Sequence, residues 1–143
     1  MNIQQLSIFV ENKSGRLAEI TEALAKANVD IRALSIADTS DFGILRLIVD
    51  QPEVAVEALK QANLTVSLTS VIAIGIEDQP GQFYKAMRVL AEHKIGIEYM
   101  YAFISRDKGK AYVILRVENS EKALEVLEQG GIKILTAEEI YKM

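Results

Sequence analysis

The 143-residue chain contains no cysteine, no tryptophan, one histidine and only two prolines. The absence of cysteine excludes disulfides, thiolate metal sites and cysteine nucleophiles. A lone histidine, His93, is a poor basis for a metal centre, so we predict neither a metal nor another cofactor. No apolar run reaches membrane-spanning length, and the first residues lack the basic segment of a secretory signal. We therefore expect a cytoplasmic protein that does not associate with membranes.

Half of the residues are apolar, a quarter are charged and the net charge is −4. This balance is typical of a globular protein, and the negative charge does not favour nucleic acid as a partner. The chain also lacks the G-x-S-x-G motif of serine hydrolases and the glycine-rich phosphate loop. We therefore predict that the protein is not an enzyme.

A weak internal repeat runs through the chain. A shift of 66 residues places Ile8 on Ile74, Glu11 on Glu77 and Gly15 on Gly81. A shift of 68 later places "LIVDQPEVAVEAL" on "LRVENSEKALEVL". Few positions are identical, but the order of elements matches as well. We interpret the chain as two copies of one unit, over residues 1–69 and 70–143.

Each copy has the same predicted order of elements, βαββαβ. The predicted fold class is α+β, with two ferredoxin-like units in which antiparallel sheets carry helices on one face. We expect Pro52 to begin the second helix of the first copy and Ser120 to cap the second helix of the second copy. We expect "LTVSL" and "IKILT" to form the short last strand of each copy. We expect "DTSDFG" and "SRDKGK" to form hairpin turns. The predicted helix stripes are Leu17, Ile20 and Leu24, and Phe83, Met87, Leu90 and Ala91. The strand residues expected to face the helices are Leu6, Ile8, Val10, Leu45, Leu47, Val49, Ile72, Ile74, Ile76, Val113, Leu115 and Val117.

The opposite face of each predicted sheet is too apolar for a surface in water. It carries Phe9, Ile44 and Ile48 in one copy, and Tyr112 and Ile114 in the other. Such a face predicts a cover, either a second sheet or a second subunit, so we expect a homo-oligomer such as a dimer. The alternative is a scatter of surface apolar residues, which needs no partner.

The turns from the first strand into the first helix are "ENKSGRL" and "EDQPGQF". The first N–H groups of a helix lack internal partners and favour a carboxylate, while Asp78 could hold an ammonium group. An amino acid carries both charges. The alternative is that Asp78 or Asn12 only stabilises the turn or caps the helix.

The loop residues Asp78, Pro80, Gly81 and Phe83 resemble the D-x-P-G-x-[LF]-like loop of ACT domains, which are small regulatory modules that bind amino acids. The first copy is similar at Asn12, Gly15 and Leu17, with Ser14 in place of the proline. Asp30-Ile31 and Gly96-Ile97 stand where the family often has N-I, so Asp30 could supply a polar contact. The resemblance covers the whole chain. It implies ligand contacts at Asn12, Lys13, Ser14, Gly15, Arg16, Asp30, Asp78, Gln79, Pro80, Gly81 and Gln82.

The resemblance implies a regulatory protein that senses an amino acid and modulates a metabolic enzyme. One alternative is a subunit of an amino-acid biosynthetic enzyme that binds no ligand and serves as a scaffold. Another is an acylphosphatase-like enzyme, since that arrangement shares the fold and holds phosphate with a loop arginine, here Arg16. RNA binding is a third class, but "FGILRLIV" lacks the aromatic spacing that RNA-binding βαββαβ domains use.

Overall fold

The computed structural model describes residues 3–11, 13–38, 41–103 and 107–143. These residues form two compact units. The N-terminal unit comprises Gln4–Thr69 and Ile140–Met143, and the described part of the C-terminal unit comprises Ile3 and Ser70–Glu139. Neither set of bounds coincides with the predicted blocks 1–69 and 70–143, because each unit contains a segment from the other end of the chain.

The N-terminal unit follows the order βαββαβ. Its elements are β1 (Ile3–Glu11), α1 (Arg16–Lys26), β2 (Ile31–Asp38), β3 (Phe42–Val49), α2 (Pro52–Gln61) and the first residues of β4 (Val66–Glu77). The strands lie in the order β2-β3-β1-β4, and β3 is antiparallel to both β1 and β2. Pro52 stands at the start of α2, as predicted.

The C-terminal unit repeats that order. The rest of β4 is followed by α3 (Gln82–Glu92), β5 (Ile97–Ala102), β6 (Lys110–Val117), α4 (Ser120–Gln129), β7 (Lys133–Leu135) and the start of α5 (Ala137–Tyr141). The strand order is β5-β6-β4-β7, and all three pairings are antiparallel. The predicted α+β fold with two βαββαβ units is therefore confirmed.

Each unit has its own hydrophobic core on the helix-covered face of its sheet. Every strand residue predicted to face the helices belongs to one of the two cores, with Ile76 partly buried. The alternation of apolar residues was sufficient to identify this face, since successive strand side chains point to opposite sides. The helix stripes were less accurate. Ile20, Leu24 and Leu90 are buried, but Leu17 and Phe83 are exposed, Ala91 is also exposed, and Ala86 is buried instead.

All four long helices end in the same way. A residue with positive φ follows each helix, and the next N–H group bonds back to a carbonyl five residues earlier. In α1 and α3 the positive-φ residues are Asn28 and Lys94, and the returning bonds are Val29 to Leu24 and Ile95 to Leu90, both at 3.0 Å. This is the Schellman pattern, which satisfies carbonyls that a helix end leaves without partners.

Three further features of the structure differ from what the sequence predicts. "LTVSL" does not end as a separate short strand, because Val66–Glu77 is one continuous strand. Ser120 is the first residue of α4 rather than its cap, and Asn119 accepts a hydrogen bond from the Lys122 N–H at 3.1 Å. Helix α5 was not predicted. The predicted turns "DTSDFG" and "SRDKGK" include residues 39–40 and 105–106, which lie outside the described residues.

The sheet face opposite the helices is only partly exposed. Ile48 and Ile114 are fully buried, whereas Phe9 is 52% exposed and Ile44 is 38% exposed. Phe9 stacks on Phe42, with ring centroids 4.9 Å apart. The predicted oligomer that would cover this face stays a prediction. No helix within the described residues is long and apolar enough to cross a membrane.

Candidate functional site

The two strand-to-helix loops have the same backbone conformation. In the first loop, N–H groups of Lys13, Arg16 and Glu19 donate to carbonyls of Glu11, Lys13 and Gly15 at 2.8, 3.2 and 3.0 Å. In the second loop, the equivalent bonds run from Gln79, Gln82 and Lys85 to Glu77, Gln79 and Gly81, at 2.9, 3.2 and 3.2 Å. Every partner is displaced by 66 residues, so the loops are one structural motif used twice.

A left-handed glycine precedes the helix in both loops. Gly15 has a φ of 86° and Gly81 a φ of 88°, a region that L-residues with a Cβ rarely adopt. A Cβ atom at either position would have no heavy atom within 4 Å. The glycine is thus required by backbone conformation rather than by lack of space, and the surface beside each helix start stays open.

The first loop is occupied by its own ion pairs. The Glu11 carboxylate lies 2.9 Å from Lys13 Nζ and 3.6 Å from an Arg16 guanidinium nitrogen, and Arg16 also pairs with Glu19 at 2.9 Å. The hydrogen bond from Lys13, followed by the charges of Lys13 and Arg16, lowers the pKa of Glu11. The cations that could hold an anionic ligand are therefore already paired. Ser14 is exposed, and Asn12 lies outside the described residues.

The second loop leaves a carboxylate available. Glu77 pairs with Lys110 on the neighbouring strand, and the Asp78 N–H donates to the Gly109 carbonyl at 2.8 Å. The Asp78 side chain is exposed and makes no hydrogen bond or ion pair with any described residue. Asp78 therefore does not cap α3 within the described part of the chain. Gln79 and Pro80 are also exposed, and Gln82 is half-buried.

A groove of about 360 Å³ lies beside this second loop. Asp78 and Gln79 border it on the loop side, and its size falls within the range of small-molecule sites. The remaining lining is mostly apolar and comes from β4, α3, β5 and β6: Ile76, Glu77, Phe83, Met100, Tyr101, Ala102, Ala111 and Val113. Met100 and Ala102 were not predicted as site residues, because only the pairing of β5 with β6 brings them to this loop.

Asp30 does not join the first loop within its unit. Across the sheet, Glu11 lies opposite Phe42 at one end of β3. Ile31, which follows Asp30, lies opposite Val49 at the other end of β3. The seven intervening steps along β3 correspond to about 23 Å at roughly 3.3 Å per residue. The structure thus separates Asp30 from Lys13, Ser14, Gly15 and Arg16.

Asp30 has local partners of its own. Its N–H donates to the Asp50 carboxylate at 2.8 Å, and its carboxylate pairs with Arg32. A role for Asp30 in ligand binding would therefore need a ligand that replaces Arg32 at the carboxylate.

The described residues show no constellation for metal-dependent chemistry. No group of three or more His, Asp or Glu side chains within the described ranges could hold a metal ion. His93 follows the last residue of α3 and is exposed, with its Nδ1 atom 2.9 Å from the Val89 carbonyl. Arg16, the candidate phosphate ligand, is paired with two carboxylates.

The family model for an ACT domain pair matches residues 1–143. Among solved structures, protein BT0572 from Bacteroides thetaiotaomicron is 43% identical, with a TM-score of 0.94 over 100% of this chain and 98% of that one. A comparison with curated proteins finds no match.

Two more distant structures share the fold. They are the regulatory subunits of aspartate kinase from Thermus thermophilus, in ligand-free form, and from Thermus flavus. Each is 18% identical, with TM-scores of 0.65 and 0.62. The matches cover 91% and 92% of this chain, and 93% and 94% of the respective subunits.

Proposed function

The chain belongs to the ACT domain pair family, and on that premise we propose that it is a regulatory protein that binds an amino acid and modulates a separate metabolic enzyme. The observation that carries the proposal is the exposed Asp78 carboxylate, which has no partner among the described residues and borders a mostly apolar groove. The ligand site is accordingly assigned to the C-terminal unit.

A free amino acid suits this arrangement in three respects. Its ammonium group can pair with Asp78. Its carboxylate can accept from the first N–H groups of α3, at Phe83 and Tyr84, which lie too close to the helix start to have an intrahelical acceptor. Its side chain can lie along the apolar groove beside Phe83 and Met100. Among the described residues of the first loop, the carboxylate of Glu11 is paired with Lys13 and Arg16, so this loop offers no counterpart of the unpaired Asp78.

The enzyme partner and the oligomer are supported less directly. Two proteins of the same fold are regulatory subunits of aspartate kinase, which favours action on a separate enzyme without identifying it. The exposed Phe9, Phe42 and Ile44 form an apolar surface on the N-terminal unit, which favours a homodimer. Sedimentation of the wild type and of Phe9→Ser would test the dimer, since a polar residue there should weaken it.

A thermal-shift screen with the standard amino acids tests the ligand. A ligand present at a hundred times its Kd stabilises the folded state by about 2.7 kcal/mol, which a melting curve resolves readily. We expect one or a few amino acids to raise the melting temperature, and Asp78→Asn to abolish the rise. Asp41→Asn, which removes an exposed carboxylate from the N-terminal unit, is the matched control.

The screen also separates the alternative function. If no amino acid shifts the melting temperature, while the chain still co-purifies with an enzyme subunit in its native host, the protein is a scaffold. A rise that survives in Asp78→Asn would place the ligand elsewhere.

A further inference from the structure

We propose that the C-terminal unit has a second small-molecule site, for a ligand with a carboxylate at one end and an ammonium group at the other. The site is a cavity of about 410 Å³ between β4, β6, β7 and the start of α5. Only Ile76 and Glu77 line both this cavity and the Asp78 groove, and Asp78 itself does not line it. The proposal is thus independent of the amino-acid site proposed above.

Gly75 forms the floor of the cavity. Its partners across the sheet are Tyr112 on β6 and Lys133 on β7. A Cβ atom on Gly75 would lie 3.1 Å from Tyr112 Cε1 and 3.5 Å from Lys133 Cγ, so even one methyl group would crowd the floor. In the N-terminal unit the equivalent position is Phe9, whose partner on β3 is Ile44. The glycine at this position is therefore a feature that the internal repeat does not share.

Two ion pairs border the cavity on either side of β4. Glu77 pairs with Lys110 on β6, and Lys133 Nζ on β7 lies 3.5 Å from Glu139 Oε2. The four side chains are between 40% and 63% exposed, and exposed ion pairs contribute only about 0–1 kcal/mol. A ligand can therefore replace either partner at little cost. Because the two pairs contain equal numbers of each charge, they favour a dipolar ligand over a simple anion or cation.

The carboxylate of Glu139 is held in place from the opposite side. Its Oε1 atom accepts from the Thr136 hydroxyl at 3.2 Å and the Thr136 N–H at 3.4 Å, while the Glu139 N–H donates to the Thr136 hydroxyl at 3.1 Å. This reciprocal arrangement is a capping box at the start of α5. It leaves Oε2 directed to Lys133 and available to an ammonium group.

The spacing of the two pairs indicates an extended ligand. Lys110 and Lys133 belong to β6 and β7, which lie on opposite sides of β4. These two strands are about 9.6 Å apart, which is twice the usual spacing between neighbouring strands. An α-amino acid carries its ammonium and carboxylate groups on the same carbon, so it is too short to engage both pairs. A longer molecule can, with its methylene groups against the cavity residues Ile132 and Leu135.

The test is an NMR titration of the full-length ¹⁵N-labelled protein with unbranched ω-amino acids from glycine to aminohexanoate. We expect saturable shifts at the Gly75, Gly131 and Lys133 amides, with the longer members binding at least tenfold more tightly than glycine. The alkylamine and the carboxylic acid of equal length should each bind at least about tenfold more weakly than the ω-amino acid. Each of them lacks one charged hydrogen bond worth about 1.5–3 kcal/mol.

Variants distinguish this site from the Asp78 groove. Lys133→Met and Glu139→Gln should each weaken binding at least tenfold, whereas Lys122→Met and Glu125→Gln, on the exposed side of α4, should not change it. Gly75→Ala should also weaken binding, and an unchanged spectrum elsewhere would show that it folds. Shifts confined to Asp78, Gln79 and Ala102, equal binding of glycine and the longer compounds, or no saturable shift with any compound would each overturn the proposal. Because Asp78→Asn leaves this cavity unchanged and Lys133→Met leaves the Asp78 groove unchanged, failure of one proposal is distinguishable from failure of the other.

Discussion

Gly96 lies against the carboxylate of Glu118, so that a Cβ atom on Gly96 would be only 2.4 Å from Glu118 Oε1. The equivalent residues of the N-terminal unit are Asp30 and Asp50. The backbone bond is the same in both units, with the N–H of Asp50 or Glu118 donating at 3.1 Å to the carbonyl of Asp30 or Gly96. In the N-terminal unit, Asp30 has a side chain and is accompanied by the shorter acid, Asp50. In the C-terminal unit, Gly96 has none and is accompanied by the longer acid, Glu118.

Replacement of Gly96 by alanine tests this relationship. The φ of Gly96 is not positive, so alanine meets only the flexible end of an exposed Glu118 side chain. We expect Gly96→Ala alone to change the free energy of unfolding by less than about 1 kcal/mol. The new methyl group displaces the Glu118 carboxylate, and this cost offsets the gain from a less flexible unfolded chain. In a Glu118→Asp background the same change should stabilise by about 0.4–1 kcal/mol, the usual gain when alanine replaces a compatible glycine. Urea unfolding of the four proteins measures the difference, and equal effects in both backgrounds would contradict it.

Lys94 offers a second test, because it lies two residues after the end of α3 and has a φ of 57°. A left-handed conformation costs a residue with a Cβ roughly 1–2 kcal/mol. The equivalent residue after α4 is Gly131, with a φ of 79°. We expect Lys94→Gly to stabilise the protein by about 0.5–1 kcal/mol, after the greater flexibility of glycine in the unfolded chain is deducted. Chemical denaturation measures the change.

The matched controls for this prediction are Lys94→Ala and Gly131→Ala. The first keeps a Cβ and should give no gain, and the second should destabilise. A gain with alanine equal to that with glycine would show that the lysine charge, rather than the backbone, is responsible.

The sequence was sufficient for the fold because the fold depends on local, repeated patterns. The alternation of Leu6, Ile8 and Val10 placed the core face correctly, and Gly15 and Gly81 marked both strand-to-helix loops. The continuity of β4 across Thr69 and Ser70 was not predictable. A strand that changes partners partway along its length has no distinguishing local composition.

The candidate site was predicted only in part, since a site depends on which elements lie next to each other. Asp78 and Gln79 were identified from the loop alone, but Met100 and Ala102 reach the groove through sheet pairing. Asp30 was grouped with the first loop by resemblance, whereas the order β2-β3-β1 places it at the other end of the sheet. The predicted order of elements already implies this separation, since a helix that runs back from the end of β1 returns the chain to the opposite end of the sheet before β2 begins.

Arg32 joins the last residues of the chain to the N-terminal unit. Its side chain is only 13% exposed, and it donates to the Ile140 carbonyl at 3.2 Å and the Tyr141 carbonyl at 3.0 Å while pairing with Asp30. Hydrogen bonds from a charged donor contribute about 1.5–3 kcal/mol. We expect Arg32→Ala to destabilise by that amount and to speed amide exchange over Tyr141–Met143.

Arg32→Lys is the conservative control. Lysine keeps the charge but lacks the planar fork that contacts both carbonyls, so we expect it to recover only part of the stability. Tyr141→Phe removes the hydroxyl that accepts from the Gln4 N–H at 3.3 Å, and should have a smaller effect. Unchanged exchange at the C-terminus of Arg32→Ala would show that Ile140, which is fully buried, suffices to hold this segment.

Tyr112 should ionise only at a pH above the ordinary range of a tyrosine. Its hydroxyl donates to the Asp107 carboxylate, and this hydrogen bond, followed by burial and the Asp107 charge, raises the pKa of Tyr112 from 10.0 to about 12. Because the folded-state pKa is higher than the unfolded one, the hydrogen bond stabilises the folded protein fully below pH 10, and this contribution is lost as the pH rises towards 12. Tyrosinate absorbance should show a late step that is absent in Tyr112→Phe.

Asp107→Asn separates the cause of the raised pKa from the surroundings of the ring. An amide can still accept the hydrogen bond but has no charge, so the pKa of Tyr112 should fall towards its ordinary value while the edge-to-face contact of Tyr112 with Phe103, at 6.0 Å, remains. Between pH 10 and 12 the wild type should lose more unfolding free energy than Asp107→Asn. If the late step persisted unchanged in Asp107→Asn, the raised pKa of Tyr112 would be due to burial against Gly75 and Phe103 and not to the Asp107 carboxylate.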